Sequence, residues 1–266
     1  MINITDNPLL KDKAFICGQW VRATSGKTFN VSNPATGDVI STCADLSGEE
    51  VRETIELAHK AMQDWKKTPA KQRSVLLRKW YDLVMRNQET LAEIMTAEQG
   101  KALHEARIEI AYGASYIEWF AEEAKRSYGD VIPTVSDDRR LLTIKQPVGV
   151  VSAITPWNFP NAMITRKAAP ALAAGCTIVI KPAAETPLSA LALAELAKQA
   201  GIPNGVINIV TSSNSREVGL ELTTHPLVKK ITFTGSTPVG KILLAQAAQT
   251  VKKASMELGG NAPILV

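Results

Sequence analysis

The chain has 266 residues, of which 45% are hydrophobic and 21% are charged, and its formal net charge at pH 7 is +4. These values are typical of a globular protein and exclude disordered and collagen-like chains. Its 30 basic residues are spread along the sequence without a block of lysine and arginine, so we expect no nucleic-acid partner. At roughly 150 residues per domain, the length allows one large domain or two modest ones.

Three cysteines, Cys17, Cys43 and Cys176, are widely separated in the sequence and form no CxxC pair. Such a scattered, odd-numbered set is typical of a reducing compartment rather than of a disulfide framework. The N-terminal residues lack the basic start and apolar core of a signal peptide. The longest apolar stretch, residues 168–180, is shorter than the ~20 residues that a membrane span needs. We therefore expect a cytoplasmic protein without a membrane partner, and the histidine spacing predicts no metal site.

The first half of the sequence predicts a short β segment followed by helices. Residues 1–46 alternate short apolar stretches with turn signals, which is typical of an N-terminal β segment. Ser47 and Glu50 form a capping box that starts a first helix. A second helix is predicted to begin with Pro69 in its first turn. A third is predicted to end at Gly100 and a fourth to span residues 103–128, so that residues 47–140 form a helical part.

From residue 141 onwards, short apolar runs alternate with amphipathic stretches. The predicted strands are 148–154, 177–180, 206–210, 230–233 and 254–258, and the predicted helices are 162–174, 188–200, 217–223 and 239–248. Because the strands are continuous apolar runs, they are expected to form a parallel sheet that is covered on both faces. Residues 141–266 are thus predicted to form a doubly wound α/β sheet, with the last apolar residues in a buried strand.

Ligands of such sheets bind beyond the carboxyl ends of the strands, so the residues that follow each strand are the candidates. The first strand is followed by Trp157 and by Asn158, whose amide could donate to an oxyanion. The alternative is a rigid turn in which Trp157 packs into the core. The second strand ends at Lys181, which could reach a ribose or a phosphate, or could simply be a solvated surface lysine.

Residues 233–241 nearly match two nucleotide-binding motifs. The GxGxxG pattern fails at Thr237, and the P-loop pattern fails at Ile242, where a hydroxyl would bind Mg²⁺. Gly235 is predicted to permit a tight turn, and Ser236 or Thr237 to cap the helix that follows. Free N–H groups at a helix start bind anions, so we expect a phosphate-bearing cofactor without a metal.

Glu257 lies at the end of the last predicted strand, with Gly259 and Gly260 directly after Leu258. A carboxylate followed by glycines that allow close approach of a ligand is a candidate general base. The alternative is a structural carboxylate that binds backbone amides. Cys176, at the start of a predicted strand, is interpreted as a core residue rather than a nucleophile.

These motifs together resemble the aldehyde dehydrogenase superfamily. They are TPWNFP at 155–160, KPA at 181–183, FTGSTPVG at 233–240 and MELGG at 256–260. Residues 118–123 and 161–167 resemble the succinate-semialdehyde dehydrogenases within it. The resemblance implies a Rossmann-like cofactor domain and the oxidation of succinate semialdehyde to succinate with NAD or NADP. It also implies a homo-oligomer, formed partly through the strand region near 141–146.

The resemblance also assigns residue roles. Asn158 would stabilise the oxyanion, Glu257 would activate the deacylating water, and Arg166 would hold the substrate carboxylate bidentately, unless it is a helix-surface arginine in an ion pair. The cofactor residues would be Thr155, Pro156, Trp157, Lys181, Pro182, Ala183, Ala184, Gly235, Ser236 and Leu258. Ala184 leaves room for a 2′-phosphate, so NADP is preferred and NAD is possible, although Glu185 lies next to it. Ser212 stands where a glycine is common.

The family's nucleophile is a cysteine in a GQxC-type motif, and none of the three cysteines lies in one. We therefore expect this chain to supply the cofactor-binding part of the enzyme, with the catalytic domain absent, and to be inactive alone. Two alternatives stay open. One is a truncated, non-catalytic dinucleotide-binding module, and the other is an aldehyde dehydrogenase of different substrate specificity.

Overall fold

Four short strands precede the first helix in the computed structural model, which describes residue 4 and residues 6–265. Strands β1 (Ala14–Ile16) and β2 (Gln19–Val21) form one antiparallel hairpin. Strands β3 (Thr28–Ser32) and β4 (Val39–Ala44) form another. The prediction of β structure before residue 46 is therefore confirmed.

Four helices and a single 3₁₀ turn follow. The helices are α1 (Gly48–Trp65), α2 (Ala70–Arg86), α3 (Gln88–Gln99) and α4 (Leu103–Glu123), and the turn is Ala124–Arg126. The end of α4 falls before the predicted residue 128 because the chain tightens into the 3₁₀ turn. Among the residues that the structure describes, none of the helices is both long and apolar enough to cross a membrane.

The predicted helix boundaries rest on local chemistry that the structure confirms. The Ser47 N–H donates to the Glu50 carboxylate at 2.8 Å, and the Glu50 N–H donates to the Ser47 hydroxyl at 3.3 Å, which is the predicted capping box. Gly100 ends α3 with a φ of +83°, a left-handed conformation that glycine adopts without strain. Pro69 lies one residue earlier than predicted, at the N-cap of α2.

Strands and helices then alternate, after a small ribbon of β5 (Val131–Ile132) and β6 (Leu141–Leu142). The alternating elements are β7 (Val150–Ile154), α5 (Ala162–Ala173), β8 (Thr177–Lys181), α6 (Leu188–Gln199), β9 (Ile207–Ile209), α7 (Ser215–Thr224), β10 (Val228–Gly235), α8 (Thr237–Ala248) and β11 (Lys253–Leu258). Each corresponds to a predicted element, with ends that differ by a few residues.

The main sheet has the strand order β11-β10-β7-β8-β9-β1-β2. Strands β7 to β11 are parallel, so the predicted doubly wound α/β sheet is confirmed. The N-terminal hairpin extends this sheet, because Phe15 of β1 pairs antiparallel with Ile209 of β9. Strands β8 and β9 lie on one side of β7, and the chain then returns to place β10 and β11 on its other side. That switch point opens a crevice at the carboxyl ends of the strands, where such sheets bind ligands.

Helices cover both faces of the sheet. Helices α1, α7 and α8 pack on one face, whereas α5 and α6 pack on the other, with α2, α3 and α4 outside them. This double cover explains why the side chains of β8 are all buried. The prediction of a buried terminal strand is wrong: β11 is the edge of the sheet and is largely exposed, as are residues 259–265. Helix α8 packs against β11 from one face.

Two buried carboxylates fix the starts of the inner helices. Glu98 of α3 accepts hydrogen bonds from the backbone N–H groups of Leu188 and Ser189, at 2.7 and 2.8 Å, where α6 begins. Glu109 of α4 accepts from Asn161 and Ala162, at 3.0 and 3.2 Å, where α5 begins. Carboxylates satisfy the unpaired N–H groups of a helix start and complement its dipole. The outer helices therefore set the position of α5, which directly follows the loop after β7.

Candidate active site and cofactor cleft

The carboxyl ends of four parallel strands meet at one edge of the sheet. In the ladder, Ile154 of β7 stands beside Lys181 of β8 and beside Phe233 of β10. Gly235 of β10 stands beside Leu258 of β11. This register brings together the predicted site residues of four separate sequence motifs.

The loop after β7 presents its side chains to solvent. The alternative of a core tryptophan is wrong, because Trp157 is 55% exposed. Asn158 is exposed too, and its side-chain amide has no hydrogen-bond partner within the described part of the chain. The backbone oxygen of Asn158 accepts a hydrogen bond from Lys101 Nζ at 3.0 Å. Lys101 is also ion-paired with Glu109, so the loop is tied to the start of α5 while its amide stays available as a donor.

Two buried threonine hydroxyls at the strand ends lack partners. Thr155 Oγ1, just after β7, and Thr234 Oγ1, in β10, make no hydrogen bond to any residue that the structure describes. The Thr155 N–H is used, since it donates to the Lys181 carbonyl at 3.1 Å. Because buried polar groups are nearly always paired, unpaired hydroxyls at this edge fit a cleft that is completed by a polar ligand.

Lys181 is 3% exposed, so the alternative of a solvated surface lysine is wrong. Its ammonium donates to the Pro182 carbonyl at 3.2 Å. Burial lowers the pKa of Lys181, while the nearby carboxylates of Glu185 and Asp45 oppose that shift. Ala184, between Lys181 and Glu185 in the sequence, is half-buried. The cleft thus has a buried cation at Lys181 and no carboxylate at position 184.

The start of α8 lies at the end of β10 and offers free backbone N–H groups. Ser236 is the N-cap residue but makes no side-chain capping hydrogen bond, and Pro238 lies in the first turn. The predicted tight turn at Gly235 is wrong, because Gly235 is the last residue of β10 and its φ is not left-handed. A Cβ at Gly235 would lie 2.5 Å from Cζ of Phe233, so ring packing requires the glycine. An uncapped helix start fits a phosphate.

Ser212, in the loop after β9, points inwards. Its hydroxyl donates to the Leu46 carbonyl at 2.7 Å and lies 3.1 Å from the Asp45 carboxylate. The backbone N–H of Ser213 also donates to Asp45, at 2.8 Å. Ser212, which stands where a glycine is common in the family, therefore links this loop to the segment before α1.

A groove of about 570 Å³ lies between α5 and strands β10 and β11. It is lined by four cations, one carboxylate and one thiol, namely Arg166, Lys167, Lys230, Lys253, Glu257 and Cys176. We call it the α5 groove. Arg166 Nη2 lies 4.0 Å from Glu257 Oε1, with side chains that are 31% and 63% exposed. The loose ion pair fits the alternative of a helix-surface arginine. Arg166 also lines a cationic groove, as a residue that holds an anionic substrate would.

Lys167 lines the same groove and was not among the predicted site residues. It is almost fully buried, and its ammonium donates to Thr232 Oγ1 at 3.1 Å. Burial, reinforced by the neighbouring Arg166, lowers the pKa of Lys167 to about 8. The available signal was its helical spacing from Met163 and Ala171, which places Lys167 on the inward face of α5. Cys176 is buried, as predicted.

The chain is similar to known proteins of one family. Residues 20–266 match the model of the aldehyde dehydrogenase family. The chain is 58% identical to a 3-sulfolactaldehyde dehydrogenase of Pseudomonas putida, covering 100% of the chain and 54% of that relative. It is 54% identical to an NADP(+) succinate-semialdehyde dehydrogenase of Escherichia coli, covering 100% of the chain and 55% of that relative.

A solved structure gives the same result. The succinate-semialdehyde dehydrogenase of Burkholderia pseudomallei superposes with a TM-score of 0.95 at 52% identity, covering 98% of this chain and 54% of that one. The chain spans about half the length of the curated relatives it matches. Fold, strand-end motifs and family match coincide over nearly all of its residues, and the chain therefore belongs to the aldehyde dehydrogenase family.

Proposed function

We propose that this chain forms the cofactor-binding part of an NAD(P)-dependent dehydrogenase that oxidises short aldehydes with an anionic tail, with succinate semialdehyde as the substrate. The observation that carries the proposal is Arg166, which lines the α5 groove 4.0 Å from the Glu257 carboxylate. A guanidinium holds a carboxylate or a sulfonate through two parallel N–H groups. The relatives named above support an anionic tail, since sulfolactaldehyde carries a sulfonate and succinate semialdehyde a carboxylate.

The residues at the sheet edge then have different roles in the reaction. The free side-chain amide of Asn158 donates to the oxygen of the reacting carbonyl as negative charge develops there. Glu257 accepts a proton from the water that releases the acid product. When bound, NAD(P) would supply the hydride acceptor that the oxidation requires. The residues that we propose to hold the cofactor are Thr155, Pro156, Trp157, Lys181, Pro182, Ala183, Ala184, Gly235, Ser236 and Leu258.

We propose NADP as the preferred cofactor, with NAD possible. Ala184 offers no carboxylate to repel a 2′-phosphate, and Lys181 provides a nearby cation. The NADP(+)-dependent relative of Escherichia coli supports this preference. Glu185 and Asp45 act against it, because both carboxylates lie close enough to Lys181 to influence its pKa.

We propose that the nucleophilic thiolate comes from outside these 266 residues, so that the chain alone binds the cofactor without turning over aldehyde. Cys43 and Cys176 are buried, and burial together with Glu98 and Asp12 raises the pKa of the Cys43 thiol. Cys17 is half-buried on the N-terminal hairpin. A non-catalytic dinucleotide-binding module is the alternative and predicts the same cofactor affinity but no active enzyme that contains this chain.

We also propose a cytoplasmic homo-oligomer in which the β5–β6 ribbon lies at a subunit interface. Val131 and Leu142 of this ribbon are 71% and 70% exposed. Exposed apolar strands of this kind are typical of association surfaces. Within each subunit, we propose a division into residues 1–46, 47–140 and 141–266.

The test of the substrate assignment compares Arg166→Ala with the parent in the enzyme that contains this chain. The ratio of kcat/KM for succinate semialdehyde to that for butanal is expected to fall by about tenfold or more, because a charge-assisted bidentate contact is lost. Arg107→Ala is the matched control, since Arg107 is a half-buried arginine paired with Glu89 at 2.6 Å on the outer helices. An unchanged ratio in Arg166→Ala would exclude the proposed substrate site.

A further inference from the structure

Two tyrosines of α4 stand beside Arg166, across the contact between α4 and α5. The hydroxyl groups of Tyr112 and Tyr116 are hydrogen-bonded to each other. Their rings pack edge to face, with centroids 5.0 Å apart. The guanidinium carbon of Arg166 lies 5.5 Å from the centroid of the Tyr116 ring. The tyrosine pair and the arginine therefore form one contiguous cluster.

The tyrosine pair has a spare hydrogen-bond donor. Two hydroxyls carry two protons, and their mutual hydrogen bond uses only one of them. Neither hydroxyl has another partner among the described residues. Whichever hydroxyl accepts therefore keeps a proton that can be donated to a ligand. Burial and the bond to Tyr112 raise the pKa of Tyr116, so that proton is retained at neutral pH. Tyr112 is 44% exposed, which leaves the pair open to solutes.

The surroundings of Arg166 favour an anion on the tyrosine side. The Tyr116 ring lies over the guanidinium of Arg166, whose Nη1 is 3.9 Å from Met163 Sδ and whose Nη2 is 4.0 Å from Glu257 Oε1. Both contacts are long, so an anion can replace them at the N–H groups. The Glu257 carboxylate, 4.0 Å away, repels an anion from its own side of Arg166. An anion is thus disfavoured beside Glu257, and the tyrosine hydroxyls are the uncharged donors of the same cluster.

We propose that the Tyr112–Tyr116 hydroxyl pair completes the tail subsite and donates a hydrogen bond to the anion that Arg166 holds. The inference rests on the proposed function and extends it by naming two specificity-determining residues on α4. Each oxygen of a carboxylate or a sulfonate can accept more than one hydrogen bond, so the hydroxyl adds a contact to either tail. A sulfonate has a third oxygen, so the loss measured with each aldehyde identifies the tail that the donor serves.

The kinetic test uses Tyr112→Phe and Tyr116→Phe, which remove a hydroxyl and keep the ring. Each variant is assayed with succinate semialdehyde, 3-sulfolactaldehyde and butanal in the enzyme that contains this chain. The ratio of KM for an anionic aldehyde to KM for butanal is expected to rise about tenfold, since a hydrogen bond to a charged group is lost. Tyr81→Phe is the matched control, because the Tyr81 ring also carries an arginine, Arg78, at 4.7 Å.

A binding test uses the 266-residue chain itself. Succinate is titrated into the chain while the tyrosine ring signals are followed by NMR, and Tyr112 and Tyr116 are expected to shift while Tyr81 does not. In Arg166→Ala the succinate-induced shifts are expected to disappear. This readout is independent of turnover and is applied also to any variant that fails to assemble into active enzyme.

The outcomes separate this inference from the proposed function. A selective loss in Arg166→Ala without one in the two tyrosine variants would overturn the tyrosine subsite and leave the proposed function standing. No selective loss in any of the three variants would overturn both. If the KM ratio rises more for 3-sulfolactaldehyde than for succinate semialdehyde, the subsite is assigned to a sulfonate. If the ratio rises as much or more for succinate semialdehyde, the subsite is assigned to a carboxylate.

Discussion

The carboxylate of Glu98 accepts a hydrogen bond from the backbone N–H of Ser189 at 2.8 Å and is completely buried between α3 and α6. Burial raises the pKa of Glu98 to about 7, against the opposing effect of its hydrogen bonds. A carboxyl group whose pKa is raised on folding stays protonated in the folded state while it ionises in the unfolded chain. The resulting stabilisation is complete below the unfolded pKa and is lost as the pH rises towards the folded pKa.

The first prediction concerns this pH dependence. Between about pH 5 and pH 7, Glu98 is expected to lower the free energy of unfolding by about 2 kcal/mol as the pH rises, and Glu98→Gln is expected to remove that slope. Denaturant unfolding at a series of pH values measures it. Glu93→Gln, on the same helix, is the control. Parallel pH profiles for the parent and Glu98→Gln would contradict the prediction.

The second prediction concerns cofactor choice. Ala184→Glu is expected to weaken NADP binding by about tenfold or more, because a carboxylate beside the cleft would repel the 2′-phosphate, and to spare or improve NAD binding. Quenching of tryptophan fluorescence measures both affinities, since Trp157 is exposed at the cleft. Glu185→Gln is the companion variant and is expected to favour NADP. Equal changes for the two cofactors in Ala184→Glu would be inconsistent with a 2′-phosphate near this position.

The third prediction concerns Lys181. Because burial lowers the pKa of Lys181, its ammonium loses a proton at a lower pH than an ordinary lysine does. NADP affinity is therefore expected to fall as the pH rises through the pKa of Lys181, since the neutral amine no longer attracts phosphate. Lys181→Met is expected to bind NADP more weakly and with a flat pH profile in calorimetric titrations. If Lys181→Met keeps the slope of the parent, another group controls the binding.

The fourth prediction concerns the close contact between Gly235 and Phe233. Gly235→Ala is expected to cost about 1–3 kcal/mol of unfolding free energy, because the added methyl group would lie 2.5 Å from the Phe233 ring. Adding Phe233→Leu is expected to restore part of the loss by making room. Gly259→Ala is the control, since no atom lies within 4 Å of the position that its methyl group would take. Thermal and denaturant unfolding measure the stability of all three variants. Equal stability of Gly235→Ala and Gly259→Ala would contradict the steric argument.

Local patterns predicted the elements and their order well. The capping box of Ser47 and Glu50 and the left-handed Gly100 are set by neighbours within four residues, so the sequence alone locates those helix ends. Strands β7 and β8 were predictable for a similar reason, because a run of apolar residues needs cover on both faces.

The state of individual side chains depends on packing partners that are distant in sequence. Lys181 is buried because β8 lies at the centre of the sheet, and Lys167 because α5 packs on the sheet and its ammonium reaches Thr232 of β10. Gly235 occupies its position because of the Phe233 ring rather than because of a turn. The exposure of β11 likewise follows from its place at the sheet edge, which its apolar composition does not reveal.

The N-terminal hairpin has a consequence for how the chain is made. The Cys17 N–H donates to the Asn208 side chain at 2.9 Å, across 191 residues of sequence, and β1 adds to the sheet only through β9. During synthesis, the first strands therefore leave the ribosome long before the strand that receives them exists. Because contacts of high sequence separation are slow to form, we expect the hairpin to close the sheet after the parallel strands have assembled.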